Sequence, residues 1–129
     1  HHSIVVTPED LDELNHVNNV VYVQWIQDAA AAHWGKLATP DILNAYFWVV
    51  LRHEVDYRYP ALLGDELDAV TWVETMDGVK SDRIVEIRRK KDNKLLVKSI
   101  TTWCLMNRSS QKPCRIGDEL IRLFSNSRK

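Results

Sequence analysis

Read from the N-terminus, the apolar positions fall into one short run, one helical stretch and then several long alternating stretches. Ser3 to Thr7, carrying Ile4, Val5 and Val6, predicts a first strand that Pro8 ends. From Val20 to Lys36 the apolar residues repeat with helical period: Tyr22, Ile26, Ala30 and Trp34 form one i, i+4 row, and Val21, Trp25 and Ala29 the next. Between Asn19 and Gly35 the only formal charge is Asp28, which predicts a helix buried almost all round, with Asp28 needing a partner or a wet cavity. Gly35, or the Ala38-Thr39-Pro40 segment, stops it.

After a short helical turn over Asp41 to Ala45, the period changes from helical to two. Over Tyr46 to Tyr59 the alternation puts Val49, Leu51, His53, Val55, Tyr57 and Tyr59 on one face. Val50, Arg52, Glu54, Asp56 and Arg58 take the other, as in a strand with one dry side. Pro60 to Asp65 is a connection. Glu66 to Met76 predicts a second long strand, with Asp77-Gly78 as hairpin turn. Ser81 to Lys91 predicts a third, broken at Asp92-Asn93, and Lys94 to Asn107 a fourth. Gln111 to Ile116 reads as a last extended piece, and Gly117 to Ser125 as a closing helix with Leu120, Ile121 and Phe124 on its inner side. Helices do not alternate with strands, so the class is α+β: an antiparallel sheet wrapped around one long, mostly apolar helix.

Length and composition narrow the function. The 129 residues make one domain, 1–129, large enough for a core, with 45% hydrophobic and 27% charged residues. A net charge of -1 argues against nucleic-acid binding, which needs a basic stripe. Cys104 and Cys114 are the only cysteines and lie in no metal-type spacing; they fit a reducing, cytoplasmic location without disulfides. No stretch approaches the roughly 18 uninterrupted apolar residues of a membrane span, and no signal peptide is visible.

The candidate chemistry sits at the start of the long helix. The first turn of a helix has unpaired amides and partial positive charge, which stabilise a developing oxyanion. Asn18 or Asn19 can cap it. Asp12 and His16 lie just upstream, where either can act as base, nucleophile or polarising partner for a bound carbonyl. The plainer reading makes Asp10 and Asp12 turn residues and His16 structural.

The segment Asp10, Asp12, His16, Val17, Asn18, Asn19, Tyr22 and Trp25 resembles the active-site segment of hotdog-fold acyl thioesterases, closest to the hydroxybenzoyl-CoA thioesterase-like and plant-type acyl-ACP branches. Further matches of order and spacing are Tyr57-x-x-Pro60, Gly64-Asp65, Trp103 and Lys112-Pro113. The resemblance implies the hotdog fold, an acyl-CoA or acyl-ACP substrate, and Asp12 and His16 as catalytic residues. It also implies a homodimer or tetramer with the site between subunits. The helix-start amides at Val17, Asn18 and Asn19 would bind the carbonyl oxygen, and Tyr22 and Trp25 would wall the pocket. Leu14 stands where the plant-type branch has Asn, so the implied chemistry is centred on Asp12 rather than on an Asp/Asn/His trio.

Other constellations carry less. Arg88, Arg89 and Lys90, with Lys91, Lys80 and Arg83 nearby, read either as a solvated strand edge or as a landing site for coenzyme A phosphates or an acidic carrier protein. His33 and His53 lack partners at ligand spacing, so neither a metal nor a cofactor is expected. Two alternatives stay open: a hotdog dehydratase, and a non-catalytic acyl-thioester-binding or assembly module.

Overall fold

The computed structural model describes the backbone of residues 1–127 and the side chains of residues 1–125. Strand β1 (His2–Val5) leads through a one-turn 3-10 segment (Pro8–Asp10) and a loop into helix α1 (Asn19–Leu37). A six-residue α2 (Pro40–Ala45) follows, then the long strands β2 (Tyr46–Tyr57), β3 (Glu66–Asp77), β4 (Lys80–Arg89) and β5 (Lys94–Asn107), the short β6 (Lys112–Pro113) and helix α3 (Asp118–Ser127). The sheet runs β1-β3-β4-β5-β2 and every pairing is antiparallel; β6 pairs with the end of β5. This is the hotdog arrangement.

The turns form where the sequence supplies the right residues. Asp77 pairs with Lys80 across a two-residue turn in which Gly78 sits at φ 63, a conformation that side chains with a Cβ resist. Asn93, in the β4–β5 turn, takes φ 56, which Asn tolerates better than most residues.

Helix α1 lies across the sheet and joins two apolar clusters. Its N-terminal half contributes Tyr22, Trp25, Ile26 and Ala29 to a cluster with Leu67, Ile87 and Val97 of the strands. Trp34, near its C-terminal end, packs on a second cluster of Ile42, Leu105, Ile116 and Leu120.

The helix is not buried all round. Only the face of Tyr22, Trp25, Ile26, Ala29 and Ala30 is covered, and Val20 is 74% exposed. A single sheet can cover only one side of a cylinder, so the opposite side stays open in this chain. Asp28 lies on that open side and accepts a hydrogen bond from Gln24, one turn earlier, at 2.8 Å.

The strands show a second departure. The β2–β5 register shifts between Val50 and Arg52, so Leu51 is the extra residue of a bulge and stands 52% exposed. Before the bulge, Tyr46 and Trp48 face the helix side; after it, His53, Val55 and Tyr57 do. The uniform alternation expected through Val49 and Leu51 therefore does not hold, because one inserted residue flips every side chain beyond it. In α3, Leu120 and Phe124 are buried, whereas Ile121, expected inside, is 37% exposed. The last extended piece is shorter than expected, two residues, and β1 ends at Val5.

Candidate active site

The loop before α1 is held by three anchors. Asp10 turns back to accept from the Thr7 amide at 2.9 Å and the Thr7 hydroxyl at 3.1 Å, closing the 3-10 turn. Val17 is 4% exposed and pins the loop to the core, opposite Leu11 in an antiparallel bridge. Asn18 caps the helix by accepting from the Val20 amide at 3.0 Å.

Between these anchors Asp12 is fixed despite being exposed. Its Oδ1 accepts from the amides of Leu14 at 2.9 Å and His16 at 3.2 Å, while its own amide donates to the His16 carbonyl at 2.8 Å. Asn15 completes the bend at φ 60. The two acidic residues have therefore separated: Asp10 is consumed by the turn, and Asp12 keeps Oδ2 clear of hydrogen bonds from the described chain. The amide of Asn18, expected among the carbonyl-binding donors, instead donates to the Asp10 carbonyl at 2.9 Å, whereas those of Val17 and Asn19 engage no other described group and remain as donors at the helix start.

Asp12, His16, Val17, Asn19 and Tyr22 line one cleft of about 300 Å³. Its opposite wall is Tyr57 to Pro60, contributed by the end of β2 and the chain after it. Tyr22 ties the two walls together: its hydroxyl oxygen accepts the Ala61 amide at 2.9 Å, and its ring stands 5.6 Å from that of Tyr57. Burial pushes the Tyr22 hydroxyl pKa up, partly opposed by the Ala61 bond. Trp25 is not on the cleft wall; it packs edge-on against Tyr22, ring centroids 5.4 Å apart, in the core behind it. Lys94 Nζ sits 3.7 Å over the Tyr59 ring, placing a cation close to the residues of the far wall.

The far wall is what sequence reasoning missed. Tyr57-x-x-Pro60 belongs to the resemblance, but nothing local in that stretch assigns it to the site.

The basic residues at the end of β4 and just after it are already engaged. Arg89 meets Asp92 through two bonds of 3.1 and 2.9 Å, with Asp65 at 3.6 Å. Arg88 lies 3.6 Å from Glu86, and Lys90 donates to the Ser3 hydroxyl at 2.9 Å. The histidines away from the site also have partners: His53 contacts Thr101 and Gln27, and His33 contacts Arg83. Among the described residues no cluster of His, Cys, Asp or Glu could hold a metal ion, and no helix is long and apolar enough to cross a membrane. Cys104 and Cys114 are both free thiols.

Comparison with known proteins bears on the fold and the family. The chain is 24% identical over 115 residues, 85% of its length and 85% of the relative's, to the long-chain acyl-CoA thioesterase FadM of Escherichia coli. Its fold superposes on a thioesterase from Thermus thermophilus complexed with coenzyme A and zinc, with a TM-score of 0.84 at 23% identity over 97% of this chain and 90% of that one. It matches equally well Slr0204, a 1,4-dihydroxy-2-naphthoyl-CoA thioesterase from Synechocystis, with a TM-score of 0.84 at 14% identity over 99% and 96% of the two chains. The family described as acyl-ACP thioesterase N-terminal domain matches residues 3–124, nearly the whole chain, and the protein therefore belongs to that family of hotdog-fold thioester hydrolases.

Proposed function

We propose that the chain hydrolyses the thioester of an acyl-CoA or acyl-ACP in the cleft at the start of α1, with Asp12 as its central group. The observation that carries this reading is the placement of Asp12. Its carboxylate is oriented by two backbone amides through one oxygen and open to the cleft through the other, beside unengaged helix-start amides. Asp12 acts as general base on water, or attacks the carbonyl carbon itself to release the thiol and leave an anhydride that water then opens. In either route the amides of Val17 and Asn19 receive the carbonyl oxygen as negative charge develops on it. His16 hydrogen-bonds substrate or water, and Asn18 holds the helix start in place. Tyr22 forms the floor of the pocket, with Trp25 packed behind it.

FadM acts on long-chain acyl-CoA, and the Thermus structure holds coenzyme A, which favours a phosphate-bearing carrier here. Arg88, Arg89 and Lys90 are the contacts proposed for its phosphates or for the acidic surface of a carrier protein. Their present partners would have to be exchanged for the ligand. Two open surfaces support a homodimer or tetramer: the outer edge of β2, which has no neighbouring strand among the described residues, and the uncovered face of α1. Light scattering on the purified chain should give twice or four times the mass of one chain; a monomer would refute the assembly.

Asp12→Asn tests the chemistry cleanly, because Asn keeps the Oδ1 acceptor that holds the loop while losing the charge and basicity. Free-thiol release from acyl-CoA should fall about a hundredfold or more, with the melting temperature unchanged. Turnover near that of the wild type would rule out Asp12 as the central group.

A further inference from the structure

A second cavity, of about 340 Å³, opens between α1, β2, β4, β5 and α3 and shares no residue with the cleft of Asp12. Its walls are largely aromatic, with Trp34, Phe47, Trp48 and Trp103 among them. Its lining residues include no carboxylate but two arginines: Arg108, which donates to the carbonyls of Leu43 and Tyr46 at 3.2 Å each, and Arg83, which is 5% exposed. A guanidinium carries five N–H donors. Here Nη1 reaches His33 Nδ1 at 2.8 Å and Thr71 Oγ1 at 3.0 Å, which accounts for two of them. Arg83 enters no ion pair among the described residues. Burial holds its pKa down at about 10, and that of His33 at about 4, so the neighbouring imidazole is neutral and offers no countercharge.

A second donor is left over in the same wall. Trp103 Nε1 is buried without a hydrogen-bond partner. The Arg83 guanidinium also lies over the Phe124 ring, 5.6 Å from its centroid, but a ring face is no countercharge, and a buried cation without one is costly, as is a buried donor without a partner. Ser81, 4% exposed, adds a hydroxyl beside Arg83.

We propose that this cavity binds an aromatic carboxylate, its flat ring between the tryptophans and its anionic end on Arg83, Trp103 and Ser81. The charge excludes a purely hydrocarbon occupant as the best fit, and the aromatic walls favour a planar ring over an aliphatic chain. Along α1 and β2, Gln27 and His53 fall in sequence between the residues that line the two sites, and they form a hydrogen-bonded trio with Thr101, with contacts of 3.4 and 2.9 Å. A polar plug of that kind does not suit the passage of an acyl chain, so the cavity is a separate ligand site and stands independently of the thioester chemistry.

Calorimetric titration of the whole chain with 2-naphthoate tests this, with neutral 2-naphthamide as the isostere. Naphthoate should bind once per chain, and the amide at least about tenfold more weakly, since a charge-assisted bond is lost. Arg83→Met should abolish naphthoate binding. Should that variant fail to fold, Trp103→Phe keeps the test alive: it removes one N–H from the wall, should weaken naphthoate by about threefold to tenfold, and should leave melting and thioester turnover as in the wild type. Asp12→Asn should bind naphthoate unchanged, so a failure of the catalytic reading would not touch this one. Equal affinity for acid and amide, displacement of naphthoate by coenzyme A, or no saturable binding because a second copy fills the cavity would each overturn it.

Discussion

Tyr22→Phe is the substitution that separates architecture from chemistry at the cleft. The hydroxyl oxygen of Tyr22 accepts the Ala61 amide at 2.9 Å, and both residues are buried, at 3% and 0% exposure. Phe keeps the ring and its contacts with Trp25 and Tyr57, so no cavity opens. What is lost is the acceptor, and the Ala61 N–H is stranded where water cannot reach it. Leaving a buried donor unsatisfied costs about 1–3 kcal/mol. Over 129 residues, unfolding entropy of about 2.1 cal/mol/K per residue amounts to roughly 0.27 kcal/mol/K, so a loss of about 2 kcal/mol lowers the melting temperature by about 7 °C.

The activity readout discriminates further. Pro60, next to Ala61, lines the cleft, so loosening that wall should lower kcat/KM by less than about tenfold, a cost of under roughly 1.4 kcal/mol. Thermal melts and thiol-release kinetics on the same preparation check both values. Stability within about 0.5 kcal/mol of the wild type, together with a collapse of kcat, would refute this reasoning, because the hydroxyl would then be serving the reaction rather than the fold.

The loop and the half-buried His33 yield two more expectations. Asn15→Gly should fold and turn over like the wild type, whereas Asn15→Ala, forced to φ 60, should lose about 1–2 kcal/mol and disturb Asp12, as urea midpoints and thiol release would show. His33 is held down at about 4 by burial and then by Arg83, against 6.5 in the unfolded chain. Between those values the unfolded chain takes up a proton that the folded chain refuses, so stability falls as pH drops from 6.5 towards 4. Urea midpoints at neutral and acidic pH should show this loss, and His33→Asn, which keeps an acceptor for Arg83, should flatten it; an equally steep loss in the variant would exclude His33 as its source.

The strand β5 was legible end to end, Lys94 to Asn107, because turn residues bound it and alternation runs through it. The phase of β2 was not. From Tyr46 to Leu51 every residue is apolar, so the stretch carries no period, and the charges that set the phase begin only at Arg52, beyond the bulge. Helix α1 was legible as a helix but not in its exposure, since an apolar residue such as Val20 reads the same whether the chain's own sheet covers it or nothing does. At the site, the near wall lies within one continuous segment whose turn and capping residues name themselves. The far wall, Tyr57 to Pro60, arrives through the antiparallel register of β2 on β5 and the single bond from Ala61 to Tyr22, neither of which leaves a local mark.

The exposure of Asp12 bears on how such a site can work. Hydrogen-bond donors and fixed charges act on a developing oxyanion far more strongly once water is excluded. In the single chain Asp12 and His16 face solvent, and only the buried Tyr22 and Val17 beneath them are dry. The loop therefore has to be rigid in advance, because no closed cavity holds it in shape. That rigidity is what the Asp10 cap, the Val17 anchor and the two amides on Asp12 supply. Exclusion of water must come from elsewhere: from the acyl group entering the cleft, and in the proposed assembly from a second copy laid against the open helix face. On the proposed mechanism the chain itself would fix the position of the reacting groups, and the low dielectric in which they act would be completed only when substrate and the proposed partner copy are in place.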